Sequence, residues 1–439
     1  MKVIDSSEKA NVKWLKVDNA GKIYPAARRG DWTALFRVSA TLNEPIDVDI
    51  LEQAQRTTLK RFPQFSLKLK SGLFWPYLEI IHGSPELQID VANPCVRMDL
   101  SENKGFMLRV RYYNKTIALE VFHVLSDGSG GMSFLLTLVA EYLRLKYGAD
   151  IPRDNNILNC ADEPKQTEVE DAFERFVGKV TQSRSEADAF YIKGTKEPMD
   201  IIHVTSGVIP VNEILSRAKE KQVSLTEYLT AVMIMAVTKI QLDTYKGKSF
   251  ERIRKKLKPV KVSIPIKLRK FYPTNTKRIF ASYVNIGIEP RLGAFTFNEV
   301  LKAVHHQMGV EVTEKNLNAK FSTNVIAERN KLLTLTPLFL KNIALKMVFN
   351  MVGDRKSSTV ISNLGNIVLP EEMQKYVDRI DFLVGPLSRN RVTCAVASYK
   401  GKLVVNFIRT IKESMLEREF FTYLVKLGIP VKLSSNSGY

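Results

Sequence analysis

The chain has 439 residues, 45% hydrophobic and 25% charged, and 65 Lys and Arg against 46 Asp and Glu leave a formal net charge of +19. This composition supports two or three globular domains with a sizeable core, and it excludes a disordered, collagenous or disulfide-stapled chain. Cys95, Cys160 and Cys394 lie far apart with no metal-ligand spacing, which points to a reducing compartment and against a zinc cluster.

The opening MKVIDSSEKANVKWLK has no continuous apolar core, so no secretory leader is expected. Residues 33–42 read as a strand and 49–61 as an amphipathic helix that stops before Pro63. Two alternating runs follow, 105–113 and 116–123, joined by Asn114-Lys115 in the manner of a hairpin. Ile117, Leu119, Val121 and His123 share one face of the second run, so a histidine closes an apolar stripe. Asp127-Gly128-Ser129-Gly130-Gly131 then leads into a helical pattern through Phe134, Leu138, Tyr142 and Leu143, which Gly148 ends.

Residues 158–199 are polar and hold one short helical stretch, 168–180. They are expected to form a crossover between an N-terminal unit, 1–157, and a C-terminal unit, 200–439. Helical patterns resume at 211–219 and 225–242, the second opening on the capping residues Ser224, Thr226 and Glu227. No stretch reaches the ~18 uninterrupted apolar residues of a membrane span. The longest approach, 332–352, is broken by Lys341 and Lys346 and reads either as a buried helix or as one lying on a membrane surface. The tail repeats a hairpin (392–399 and 402–408) followed by a helix (413–426), echoing 105–147. Ile408 and Thr410-Ile411 stand where the first copy has His123 and Asp127, the pattern of two related halves with chemistry in one.

The strongest chemical constellation is Phe122-His123-Val124-Leu125-Ser126-Asp127-Gly128. Imidazole is the natural general base near neutral pH, and a glycine-rich turn into a helix lets backbone and substrate approach closely. Spacing alone leaves equal room for a core histidine followed by a helix-capping Asp. His305-His306 has the look of a helix-surface pair, and His82 and His203 have no motif around them.

This segment resembles the H-x-x-x-D-G motif shared by chloramphenicol acetyltransferases, peptide-synthetase condensation domains and polyketide-associated acyltransferases. Three further segments are similar to motifs of condensation-like domains: Arg61-Phe62-Pro63 to their R-(H/F)-P turn, Pro265-Ile266-Lys267-Leu268-Arg269 to P-V-N-L-R, and Ser362-Asn363-Leu364-Gly365 to S-N-x-G. With Gly72-Leu73-Phe74-Trp75 added, the order over nearly the whole chain looks most like the bacterial alcohol acetyltransferases. Two features depart: Phe122 replaces the first of the paired histidines of condensation domains, and the D-F-G-W-G motif of plant acyltransferases is missing.

The resemblance implies an α/β fold of two chloramphenicol-acetyltransferase-like subdomains, mixed sheets with flanking helices, and an active-site channel between them. It implies an acyltransferase moving an acyl group from coenzyme A, or from a carrier-bound thioester, to an alcohol or amine. His123 would be the base and Gly128 would leave room for the pantetheine arm. Asp127 would turn away from the substrate onto an arginine, for which Arg28 and Arg29, after a Tyr24-Pro25 similar to the family's N-terminal signature, and Arg269 are candidates. Ser362 or Asn363 would donate to the oxyanion, though either equally fits a strand-end hydrogen bond. Lys255, Lys256 and Lys258 suit coenzyme A phosphates or a solvated face.

No resident cofactor and no metal are expected; the thioester of coenzyme A or phosphopantetheine is a co-substrate. The alternatives are a condensation-like enzyme acting on carrier-protein-bound substrates and a catalytically silent homologue that binds a lipid or partner. The basic charge would attract an acidic acyl carrier protein or an anionic membrane, and no zinc-finger or RNA-binding signature points to specific nucleic acid. A cytoplasmic monomer, with peripheral contact at the inner face of the membrane, is the expectation.

Overall fold

The hairpin expected between residues 105 and 123 is formed: Leu108–Tyr113 pairs antiparallel with Thr116–Phe122, and Asn114 takes the left-handed turn at a φ of 48°. Asparagine tolerates that region better than most residues. The computed structural model describes residues 9–436 apart from 11, 28–32, 155, 183–185, 353 and 388.

Two sheets carry the architecture. The first has five strands in the order Val377–Val384, Leu35–Leu42, Thr116–Phe122, Leu108–Tyr113, Gln88–Ile89. The second has seven, in the order Ala281–Ile288, Val260–Lys267, Thr359–Asn366, Val392–Tyr399, Lys402–Arg409, His203–Pro210, Lys432–Ser435. Read from Lys432–Ser435, the first five strands of the second sheet repeat the first sheet, three antiparallel pairings and then a parallel one, and Val260–Lys267 and Ala281–Ile288 are added beyond them. The repeat suggested by the two hairpins therefore extends to sheet order and strand direction. A separate three-stranded sheet joins Trp14–Lys16, Pro76–Ile80 and Leu67–Ser71.

Helices cover each sheet because their apolar stripes have nowhere else to go. Val48–Arg61, capped by the Asp47 carboxylate, and Gly128–Tyr147 pack over the first sheet around Phe62, Phe65, Phe134 and Leu138. Leu225–Asp243, with Ser224 and Glu227 as a reciprocal capping box, Phe297–Glu311 and Met415–Lys426 pack on the second. Leu225–Asp243 is the one described helix long and apolar enough to cross a membrane, and two-thirds of it is buried in the core.

The expected units meet through a shared strand. Val377–Val384 lies in the C-terminal stretch yet forms the edge of the first sheet. Side chains of the second sheet hold its carbonyls: Tyr399 donates to Val377, Asn406 to Phe382 and Thr393 to Val384. An edge strand with apolar residues on both sides needs cover from both layers, so residues 200–439 contribute to both sheets.

Within 158–199, the expected crossover, residues 166–177 pack against both cores as a strap, whereas 179–182 and 193–196 are exposed. The predicted helix over 168–180 shrinks to Ala172–Phe176. Arg61, the first residue of the Arg-Phe-Pro turn, clamps this strap through a buried two-pronged ion pair with Glu168, at 2.6 and 2.8 Å. Phe173 inserts beside Phe280 and Phe321 in the second core. The strands at 14–16, 67–71, 76–80, 203–210, 281–288 and 377–384 are not expected from the sequence; most are short or half-exposed, with polar residues on the face that an apolar stripe would occupy, and only 281–288 buries every second residue.

Beneath the first sheet, Glu120 is wholly buried and accepts hydrogen bonds from Arg109 Nε (2.6 Å), Arg37 Nη1 (3.3 Å) and the Cys95 N–H (2.8 Å). Removing one member of such a set leaves uncompensated charge in the interior. Glu120→Ala is expected to lower unfolding free energy by about 3–5 kcal/mol, read from the urea midpoint at unchanged slope.

Candidate active site

The strand Thr116–Phe122 ends one residue before His123, whose N–H donates to the Ala34 carbonyl at 2.9 Å. A tight turn, with the Leu125 N–H on the Phe122 carbonyl, carries the chain to Asp127, the N-cap of Gly128–Tyr147. The His123 ring lies flat against Tyr24, 4.9 Å between centroids and 5° between planes, and tilts against Phe36 at 5.0 Å. Its Nδ1 is buried and makes no hydrogen bond among the described residues. Burial holds the imidazole below its ordinary pKa; the Asp127 carboxylate and the backbone at His123 and Ser126 push the other way without winning.

Asp127 faces away from that ring. Oδ1 accepts from the Ser129 and Gly130 N–H groups, at 3.0 and 3.1 Å, as a helix cap. Oδ2 accepts from Arg269 Nη1 at 2.6 Å and from the Phe280 N–H at 2.9 Å. Burial alone would raise this carboxyl, but the Arg269 charge and then the Phe280 N–H outweigh it, so its pKa lies below the usual carboxylate range. All four contacts are structural, which leaves Asp127 no oxygen for a proton relay.

Arg269 is thus the arginine that meets Asp127; its remaining N–H groups donate to the Thr276 and Arg278 carbonyls. Arg28 and Arg29, the other two candidates, lie outside the described residues. Ser126 adds a third tie between the halves, its hydroxyl donating to the Lys277 carbonyl at 2.5 Å. A Cβ at Gly130 would collide with that same carbonyl and hydroxyl, so only glycine lets the helix start pass here. At Gly128 the space a Cβ would take is already bordered by Leu364 at 3.0 Å and Phe382 at 3.4 Å, from two strands of the C-terminal stretch.

The other expected residues divide. Asn363 donates to the Thr226 hydroxyl and accepts from the Gly365 N–H, so its amide serves the strand and the neighbouring helix. Ser362, two residues before the Leu364 that meets Gly128, makes no side-chain hydrogen bond among the described residues. Lys255, Lys256 and Lys258 are exposed and precede the strand Val260–Lys267, whereas Lys267 and Arg269 end it beside Asp127. At ~3.3 Å per residue, roughly 23 Å of strand separates the two ends. The structure therefore does not bring that cluster to the histidine.

Sequence reasoning missed Lys267 and Lys277, both half-buried near Asp127 and both held below the ordinary lysine pKa by burial. Lys267 donates to the Leu364 carbonyl at 2.7 Å. The Pro-Ile-Lys-Leu-Arg segment was the available signal for Lys267; Lys277 has none. His305 sits on Glu227 at 3.0 Å, and no metal-holding group occurs among the described residues. A cavity of about 600 Å³ lined by Trp14, Lys22, Trp75, Tyr77, Glu328 and Arg329 includes neither His123 nor Asp127.

A half-buried imidazole at the junction of two repeated sheets, with its aspartate turned onto an arginine of the opposite half, defines a two-subdomain chloramphenicol-acetyltransferase-like architecture. Solved structures carry the same fold. Polyketide synthase associated protein 5 from Mycobacterium tuberculosis is 15% identical, covers 97% of this chain and 98% of its own, and superposes with a TM-score of 0.58. The trichothecene 15-O-acetyltransferase of Fusarium sporotrichioides is 9% identical over 97% and 98%, with a TM-score of 0.59. The starter condensation domain of rhizomide synthetase, in a variant complexed with C8-coenzyme A, is 12% identical over 95% of both chains, with a TM-score of 0.58. No family model and no curated protein matches the sequence.

The Asp127 carboxyl is depressed in the folded state, so its stabilisation is present above the ordinary value of about 4 and fades as pH falls through the lower folded value. Asp127→Asn strands Arg269 and is expected to cost about 3 kcal/mol near neutrality. The gap from wild type should close as urea titrations move from about pH 7 toward about pH 3.

Proposed function

We propose that the protein is an acyltransferase that moves an acyl group from a coenzyme A thioester to an alcohol or amine, with His123 as general base. The observation that carries this reading is an imidazole with a depressed pKa, set at the junction of the two halves. It is neutral near pH 7 and so ready to take a proton. Three further points support it: the fold shared with an acetyltransferase, a polyketide synthase associated protein and a condensation domain, the coenzyme A derivative in the last of these, and the H-x-x-x-D-G spacing.

Nδ1 is buried, and Nε2 is assigned to the acceptor. Nε2 takes the acceptor's proton as its oxygen or nitrogen attacks the thioester carbonyl. The tetrahedral intermediate collapses, the carbon–sulfur bond breaks, and the imidazolium returns its proton to the leaving thiolate. Tyr24 and Phe36 fix the ring by packing, and Asp127 fixes the turn that carries it. Lys267, Arg269 and Lys277 make the surroundings positive, which favours the developing oxyanion and the phosphates of the donor. Ser362 is the better oxyanion donor, since the Asn363 amide is already engaged.

A carrier-bound donor is the second reading, favoured by the +19 charge, which would attract an acidic carrier protein. The two differ in the donor that reaches the same histidine.

The deciding experiment follows free thiol release from acetyl- and longer acyl-coenzyme A donors with a panel of alcohols and amines, for wild type and His123→Ala. Acceptor-dependent release that vanishes in the variant supports the proposal; equal, negligible release from both overturns the coenzyme A reading, and the same pair is then run with acyl carrier protein. Ser362→Ala should lower kcat by about 10²-fold with little change in KM. The acid limb of kcat/KM should have its midpoint below about 6.5, the ordinary histidine value.

A further inference from the structure

The segment 332–352, expected to be either a buried helix or a surface one, is half of each. It forms two helices, Lys331–Leu335 and Leu338–Val352. On the second, Leu338, Lys341 and Leu345 turn inward, and the helix rests on Ile23–Ala27, the helix of Tyr24. Phe339, Leu340, Ile343 and Met347 form a stripe on its outer face, with Phe339 64% and Ile343 56% exposed. Leu335 and the tip of the turn between Leu67–Ser71 and Pro76–Ile80, where Leu73 is 73% exposed, extend the stripe.

The patch is built as one piece. The Leu338 N–H donates to the Leu73 carbonyl. Lys341, only 1% exposed, donates to the Phe74 and Thr334 carbonyls at 3.0 Å each and lies 3.9 Å over the Trp75 ring. A lysine buried in order to pin an apolar helix beside an apolar turn holds two greasy elements in one plane.

Cations are in excess around this plane, and the carboxylates at its border are each engaged by a cation: Glu79 by Lys68, Glu174 by Arg329 and Glu328 by Lys22. From Arg329 to Val352 the sequence has four cations and no carboxylate, and from Ser66 to Leu78 it has Lys68 and Lys70 and no carboxylate. Lys70, Lys346 and Lys13 are exposed, and Trp14, next to Lys13 in the chain, is 58% exposed. At ~1.5 Å per residue the 15-residue helix is too short to span a bilayer core of ~30 Å, but it suits the interface, with apolar side chains among the acyl chains and lysines at the headgroups.

We propose that this face docks the protein on an anionic lipid bilayer. A second copy is a poor occupant, because a two-fold contact through the patch would set its cations against one another. The inference rests on the surface alone and does not depend on the proposed acyl transfer.

The test is co-sedimentation of the full chain with phosphatidylcholine vesicles, with and without about a third phosphatidylglycerol, at low and raised salt. Wild type should bind the anionic vesicles, more weakly as salt rises, and bind phosphatidylcholine alone poorly. Ile343→Asp/Met347→Asp, and separately Leu73→Ser/Phe74→Ser, should weaken binding at least about tenfold at unchanged melting temperature. Val310→Asp, an exposed apolar residue on another helix, should bind as wild type does. No binding to anionic vesicles, or binding indifferent to both double substitutions, overturns the proposal. So does self-association without vesicles that the same substitutions abolish, or patch-dependent binding of an acidic acyl carrier protein without vesicle binding.

Discussion

Asp127 joins the two halves through both of its oxygens. One caps the helix Gly128–Tyr147 in the N-terminal half; the other holds Arg269 and the Phe280 N–H in the C-terminal half. The turn between His123 and Asp127 has no freedom left once these bonds and the Ser126–Lys277 contact are made. Such fixing is what the proposed role as base requires, because small misplacements cost large factors in rate. The aspartate works on the imidazole through position, and only weakly through charge, since burial outweighs its pull on the ring's pKa.

The second half carries the same arrangement without the histidine. Its equivalent strand, Lys402–Arg409, ends in Arg409, buried and paired with Glu417 at 2.7 Å across the start of the following helix. One copy of the repeat ends its strand in a structural ion pair and the other in a half-buried imidazole. The exchanged strand Val377–Val384 and the strap clamped by Arg61–Glu168 then lock the two copies together, so the site sits at a seam closed from several directions.

Positive charge is distributed with a pattern that the total conceals. Lys267, Arg269 and Lys277 gather near Asp127, a separate exposed trio at 255–258 lies a strand's length away, and a third group borders the apolar face around residue 343. A protein can carry +19 and still apply that charge in distinct places to distinct ends, because exposed charges beyond a screening length of ~10 Å act almost independently.

The sequence by itself determined the hairpin and helix around His123, the capping of Gly128–Tyr147 and Leu225–Asp243, the tail hairpin and its echo of the first. Each is written in local periodicity, turn residues and caps, which act over a few residues. It also named Arg269 among three arginines and Ser362 beside Asn363, but could not choose, because hydrogen-bond partners more than a hundred residues apart leave no mark in spacing. Strand pairing joins residues far apart in the chain, so the sheet order, the exchange of Val377–Val384 and the full extent of the repeat had to wait for the fold. The tertiary structure alone decided that Tyr24 stacks on the histidine, that Lys341 goes inward while its apolar neighbours go outward, and that the lysines at 255–258 stand away from the site. In each case the choice is made by which surface a residue meets, and that is a property of packing rather than of order along the chain.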